Sequence, residues 1–459
     1  MISSIMNTYN IVFFFIAITL FLTVLKGTID IKPAKVKPCL YTLLVVGILL
    51  RLILAPIIEG FYSDMYLFKK WSSLAADSLS NFYSSTWCDY PPFYIYILSI
   101  IGKIVGGLNL TSNPDIYVIV LKLPSILADI ITSYIIYRVA SKEFKPILAL
   151  LLSGFYLFNP AVIINSTVWG QVDSFFTMLI VIALLLLKAE KKPFSAAVFT
   201  IAVLMKPQAL IFIPVLGYEL LMDLFKRKNY KNFILSILSS IITALIIIIP
   251  FSSGDKALSK NPLWVYDLFM NTKEGYKFAS VNAYNLFSAL GANRLNDSET
   301  LFIFSYGTWG YILAIAVALF SGLLFLKAKD SAVISLAALV QITGFFVLWT
   351  RMHERYMFPA VAIAILAYIY LKDIRILALF GGFSLISFLN AHDVLYRSLI
   401  LNNSDIPATD IFLQTFSLLN VLLFCFLVKV SIDIIIKNKI INISPNKNNR
   451  NTIGHGKNK

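Results

Sequence analysis

The long uncharged apolar runs of this chain leave it few folds to choose from. Ile234–Pro250 and Tyr311–Leu326 each come close to the roughly 20 residues with which a helix crosses a bilayer core, and similar runs recur along the chain. Within lipid, every backbone amide must find its partner inside its own segment or in a closed barrel. A barrel strand alternates apolar and polar positions, whereas these runs are apolar on every side. Composition agrees. Of 459 residues, 58% are hydrophobic and 14% charged, against about 45–50% and about 25% in soluble domains. The sequence predicts an all-α, polytopic integral membrane bundle.

The net charge of +15 does not point to nucleic acid, because the basic residues cluster between apolar runs. They gather at Lys26/Lys32/Lys35/Lys37, Lys188/Lys191/Lys192, Lys226/Arg227/Lys228/Lys231, Lys327/Lys329 and Lys372/Arg375. Short basic loops mark the cytoplasmic side. No basic residue precedes the first run, Ile11–Leu25, so a retained helix with an outside N-terminus is expected rather than a cleaved signal. Residues 1–436 read as a single transmembrane domain. Residues 437–459 read as a basic, disordered cytoplasmic tail. Cys39, Cys88 and Cys425 are spaced for neither a metal nor a disulfide framework.

With the basic loops inside, Glu59–Tyr90, Asn159–Asp173, Ser252–Thr300, Thr350–Arg355 and Ala391–Asp405 lie together on the other face. The run Phe194–Asp223 begins and ends inside. It must turn back near Lys206-Pro207-Gln208 as two short helices, since proline bars continuation. The parity rule also demands an odd number of crossings between Tyr90 and Lys142. Two candidates, Pro91–Gly107 and Ile116–Ala140, compete there. Either one does not fully cross or the Lys142/Lys145 loop breaks the rule. The expected total is about 13 spans.

The outer segments collect the residues capable of chemistry. Asp64 stands just beyond the second span, ahead of an interfacial helix that carries Tyr66, Phe68 and Trp71 to headgroup level. A solvated carboxylate at a helix N-terminus explains it; a general base of altered pKa is the functional alternative. Asp89, on the same face, is a second acidic candidate, while Pro91 and Pro92 need only start a helix. Trp169 reads as an interfacial anchor, but Gln171 and Asp173 are polar groups at membrane depth, where function is the usual reason. Lys206 either snorkels to a headgroup or, with Gln208, binds a phosphate where two helix ends meet. Arg351, His353, Glu354, Arg355 and Tyr356 form a charged turn that offends the positive-inside bias. Arginine forks match phosphate oxygens. His353-Glu354 lacks the second histidine of a zinc helix, so no metal site is assigned, and a divalent cation has no clear ligand motif.

Together these stretches resemble the GT-C membrane glycosyltransferases, closest to bacterial relatives of the enzyme that adds the second mannose of GPI anchors. The resemblance rests on Ser63-Asp64, Tyr90-Pro91-Pro92, Trp169-Gly170-Gln171-Val172-Asp173, Lys206-Pro207-Gln208 and His353-Glu354-Arg355-Tyr356. It covers a core from about Arg51 to Pro359. It implies a polyprenyl-phosphate sugar donor, inversion at the anomeric centre, an active face away from the cytosol and a lipid- or glycan-linked acceptor. An acidic residue of the first outer loop acts on that acceptor, a role that falls here to Asp64. Many relatives pair two acidic residues there; Ser63 and Met65 flank Asp64 instead, and with them goes the motif for metal dependence. The expectation is a hexosyl-, specifically mannosyl-, transferase of the bacterial plasma membrane. Its rivals are a flippase for lipid-linked saccharides, which usually shows repeated halves, and a non-catalytic subunit that binds lipid phosphate.

Overall fold

The computed structural model describes residues 2–253, 261–401 and 404–442. Helix α1 (Ile2–Leu25) is followed by α2 (Pro33–Leu54), which opens on a proline. A proline at this position loses no intrahelical bond and presets the backbone for a helix. The same device starts α5, α6, α7, α8 and α17 below. The first loop carries α3 (Tyr62–Asp77), α4 (Phe82–Ser85) and α5 (Pro92–Gly107). Next come α6 (Pro114–Glu143), α7 (Pro146–Leu157) and α8 (Pro160–Ile163), the last running into a wide helical turn over Ile164–Trp169. Helix α9 (Asp173–Lys188) precedes α10 (Lys192–Met205), a 3₁₀ turn Pro207–Phe212, α11 (Ile213–Met222) and α12 (Tyr230–Ile248). A loop bearing α13 (Trp264–Glu274), α14 (Leu286–Ala289) and the small hairpin Thr300–Leu301 with Phe304–Ser305 leads to α15 (Tyr306–Lys327). Finally α16 (Val333–Leu348), α17 (Pro359–Leu371), α18 (Ile374–Leu401) and α19 (Ile411–Ile435) close the bundle.

Among the described residues, eight helical stretches are long and apolar enough to cross a membrane, or nine if Pro146–Leu157 with Pro160–Trp169 is one bent span. Helices α16 and α17 are buried almost throughout, while α1 and α12 expose rows of isoleucine and leucine such as Ile11, Ile18, Ile241 and Ile246. That is the inside-out pattern of a bundle solvated by lipid: apolar all round, with the centre fixed by packing.

The competing runs around residues 91–140 resolve from their contacts. Tyr90 Oη donates to Gln171 Oε1, which puts the start of α5 on the same face as Asp64. Tyr117 Oη, in the first turns of α6, donates to the Lys69 carbonyl of α3. The chain from Tyr90 to Tyr117 thus begins and ends on one face, and 16 residues of α5 do not reach across and back. Helix α5 instead lies on α3: Gly102 abuts the Ser72 carbonyl and Ser99 Oγ donates to that of Ala75. Helix α6 alone passes to the other side, where Glu143 pairs with Lys372.

That opposite face gathers the predicted cytoplasmic charges. Lys192 meets Glu190, Glu219 and Asp223, and Arg375 ties Asp373 to Asp433. The start of the expected disordered tail is held in place: the Ile441 carbonyl accepts from Ile374 N, Ile441 N donates to the Asp373 carboxylate, and Arg375 donates to the Lys439 carbonyl. The rest of that tail lies outside the described residues.

Candidate active site

The segments expected on one face do meet there. Asp64 lies in the first turn of α3. Its Oδ2 accepts from Trp169 Nε1 at 2.8 Å and Gln171 Nε2 at 2.5 Å. Arg355 Nη1 stands 3.6 Å away. The carboxylate is 22% exposed, so it is gripped on one oxygen and open to solvent. Two glycines allow this approach. Gly60 and Gly170 have φ of +123° and +87°, a region that L side chains rarely adopt. A Cβ on either would strike the Trp169 carbonyl or Met65. Phe61 N then donates to the Trp169 carbonyl, locking the two segments together.

Trp169 is fully buried. It stacks on Phe61 with centroids 4.9 Å apart, and Arg355 lies 4.5 Å over its ring. It is neither an interfacial anchor nor available to a sugar; it aims Asp64. Phe68 and Trp71, expected at headgroup level, are 2% and 1% exposed. They pack α3 onto α5, and only Tyr62 and Tyr66 face outward. The amphipathic stripe of α3 points inward because α5 covers it.

Lys206 does sit at a break, extended between α10 and the 3₁₀ turn, as the doubling-back of the chain requires. It is 4% exposed and does not snorkel. Its ammonium is ion-paired to Asp173 and lies over the Tyr356 ring. Because a 3₁₀ turn, not the first turn of α11, follows it, the expected helix-terminus contribution to an anion site is absent. Asp173 also accepts from Asn165 Nδ2 and lies 3.9 Å from Arg355 Nε. Arg351, expected as a phosphate fork, donates instead to Asp297 at 2.6 Å and has φ of +63°; it clamps the loop before α15.

Arg355 is 12% exposed and 3.0 Å from Glu354. Burial, the largest single influence, works against its charge, but Glu354, Asp64 and Asp173 overcome it and raise its pKa. Burial pushes the Glu354 carboxyl up, with Arg355 opposing. Burial and then Arg355, Arg294 and Lys206 hold His353 well below its usual range, so its ring is neutral. Its Nε2 is buried without a hydrogen-bond partner, as are Arg355 Nε and Gln208 Oε1. Buried polar atoms are normally satisfied, and these three border one cavity of about 380 Å³. Asp64, Asp89, Lys206 and Tyr356 line it as well, and Leu210, Ile211, Phe269, Met270, Phe345 and Trp349 make an apolar wall. Asp89 is pushed up to about 6, first by burial and then by Asp64, with Lys206 and Arg355 opposing. Among the described residues, no three His, Cys, Asp or Glu side chains converge as metal ligands.

Two supports were not foreseen from the sequence. Lys122, within α6, donates to the carbonyls of Ala55, Ile58 and Thr167 at 2.7–2.9 Å. It thereby ties the end of α2 to the turn that carries Trp169. Arg51 and Asp129 form a fully buried pair, and Asp129 accepts from Ser166 at 2.6 Å. Isolated charges inside apolar helices are the signal that could have found both.

The fold and this pocket define a multi-pass helical membrane protein with a half-polar, half-apolar site on one face. Residues 89–253 match the family model described as dolichyl-phosphate-mannose-protein mannosyltransferase. With the all-helical architecture, the match supports a GT-C membrane glycosyltransferase. It takes in Asp89, Gln171, Asp173 and Lys206 and stops short of Asp64 and of the Arg351–Tyr356 turn. A search of the curated proteins finds no match.

Proposed function

We propose that this protein transfers a hexose, specifically mannose, from a polyprenyl-phosphate sugar to a lipid- or glycan-linked acceptor, with inversion, on the outward face of a bacterial plasma membrane. One observation carries the reading. A carboxylate held by two donors stands 3.6 Å from a buried guanidinium, at the polar end of a cavity whose other wall is apolar. A prenyl chain suits that wall, and its phosphate suits the polar end.

Direct inversion requires a base at the acceptor hydroxyl and stabilisation of the departing phosphate. Asp64 takes the hydroxyl proton, its second oxygen fixed by Trp169 and Gln171. The new bond forms to the anomeric carbon from the face opposite the phosphate, and the bond from that carbon to the phosphate oxygen breaks. Polyprenyl phosphate leaves as an anion beside Arg355, so it needs no protonation. Lys206 acts through Asp173 and Tyr356 in setting the field there, and neutral His353 and Gln208 offer polar contacts to the sugar. Asp89 stands as a second acidic group near the acceptor.

The test is transfer from a radiolabelled polyprenyl-phosphate hexose by purified protein. Wild type forms labelled product, and Asp64→Asn loses it while still binding donor. Movement of intact donor across the membrane without bond formation would sink the proposal in favour of a flippase.

A further inference from the structure

A second cavity of about 390 Å³ adjoins the first, within the roughly 300–1,000 Å³ typical of small-molecule sites. We propose that this cavity, between α13 and the end of the first loop, holds the acceptor as a neutral saccharide. The inference rests on the transferase reading and assigns its second substrate. Helix α13 is the partition. Phe269 and Met270 face the lipid-phosphate cavity, whereas Asp267 and Asn271 face the second one. Thr272, Tyr276 and Asp89 border both. A saccharide seated in the second cavity therefore meets the donor site at Asp89.

The lining has the chemistry of sugar recognition. Trp87 is 66% exposed and presents an indole at the mouth, while buried Trp264 backs the wall behind it. Aromatic faces and polar tips supply apolar contact together with hydrogen bonding. Asp89, Asp267 and Asn271 supply acceptors and donors for hydroxyl groups. The wall is built, not incidental: Trp264 Nε1 donates to Ser252 Oγ and its ring sits 5.0 Å from Tyr83. Tyr83 Oη donates to the Tyr90 carbonyl, and Thr272 Oγ1 donates to that of Asp89. Among the described residues no Lys, Arg or His lines this cavity, whereas Lys206, Arg351 and Arg355 line the neighbouring one beside Asp64 and Asp89, so a phosphorylated ligand is disfavoured here. The geometry separates the substrates by charge.

Saturation-transfer NMR on the full-length protein in detergent tests this with methyl glycosides of mannose, glucose and N-acetylglucosamine, and with mannose 6-phosphate. At least one neutral glycoside is expected to bind and the sugar phosphate is not. Trp87→Ala and Asn271→Ala should each weaken the glycoside about tenfold, the loss of one good interface contact. Trp87 is largely exposed, so its removal leaves the core intact. Sugar-free polyprenyl phosphate should not displace the glycoside. Displacement by that lipid, glycoside binding indifferent to both variants, or no glycoside binding at all would each overturn the assignment. Tritiated polyprenyl phosphate, measured on the same preparations, keeps the two ideas apart. Its failure to bind removes the donor reading, while glycoside binding sensitive to Trp87 would still stand.

Discussion

Arg355→Ala is the perturbation from which the site predicts the most. The guanidinium lies 3.0 Å from Glu354, 3.6 Å from Asp64 and 3.9 Å from Asp173, and only 12% of it is exposed. At about 4 Å and an effective dielectric near 20, one such pair is worth about 4 kcal/mol before desolvation is subtracted. Deleting one partner of a buried pair destabilises by about 3–5 kcal/mol, because the remaining charges are left uncompensated. The catalytic loss is separate. Removing a preorganised group that faces developing negative charge lowers turnover by about 10²–10³. Arg355→Lys keeps the charge and loses the planar fork, so it should retain most of the stability and only part of the turnover. Thermal unfolding in detergent and transfer from a labelled donor, measured on the same three preparations, separate these effects. Folded Arg355→Ala protein with undiminished transfer would refute the role given to the guanidinium.

Other expectations follow from the same geometry. Asp89 has a folded pKa of about 6 against 3.8 when unperturbed. A raised pKa gives stability that is full below about 4 and is lost as pH rises through about 6, worth about 3 kcal/mol; unfolding scans should show that slope in wild type and lack it in Asp89→Asn. Trp169→Phe keeps an aromatic ring, though a smaller one, and removes the donor to Asp64, a charged hydrogen bond worth about 1.5–3 kcal/mol. Turnover should fall about tenfold to a hundredfold, and equal rates would release Trp169 from aiming the carboxylate. Single substitutions Asp64→Cys and His353→Cys should both react with an impermeant thiol reagent added from the outer side. Reaction of either only after the cytoplasmic side is opened would overturn the orientation.

What the sequence disclosed, and what it hid, divides along a physical line. Helices were legible because lipid imposes one rule on every span, and the chain reversal at Lys206 followed from charge parity and proline. The clustering of Asp64, Gln171, Asp173, Lys206 and Arg355 on one face was legible for the same reason. The partners of these groups were not. That Lys206 is neutralised by Asp173 and Arg351 by Asp297 depends on contacts between segments far apart in the chain, which no periodicity records. The same holds for α3 and α5. Their apolar stripes face each other, so an apolar run that reads as a span is satisfied by a neighbouring helix rather than by lipid. Helix α13 was hidden in a loop of balanced charge, five basic and five acidic residues over 252–300, where no hydropathy signal stands out.

The most direct measurement is where the donor lipid lies. A polyprenyl-phosphate sugar with a photoreactive diazirine in its first isoprene unit can be irradiated with the protein and its adduct located by mass spectrometry. The account predicts attachment to the wall formed by Leu210, Ile211, Phe345 and Trp349, abolished by excess unlabelled donor. Specific attachment instead to the apolar groove of α1, α2 and α7, at residues such as Phe13, Leu43 and Leu151, would contradict it.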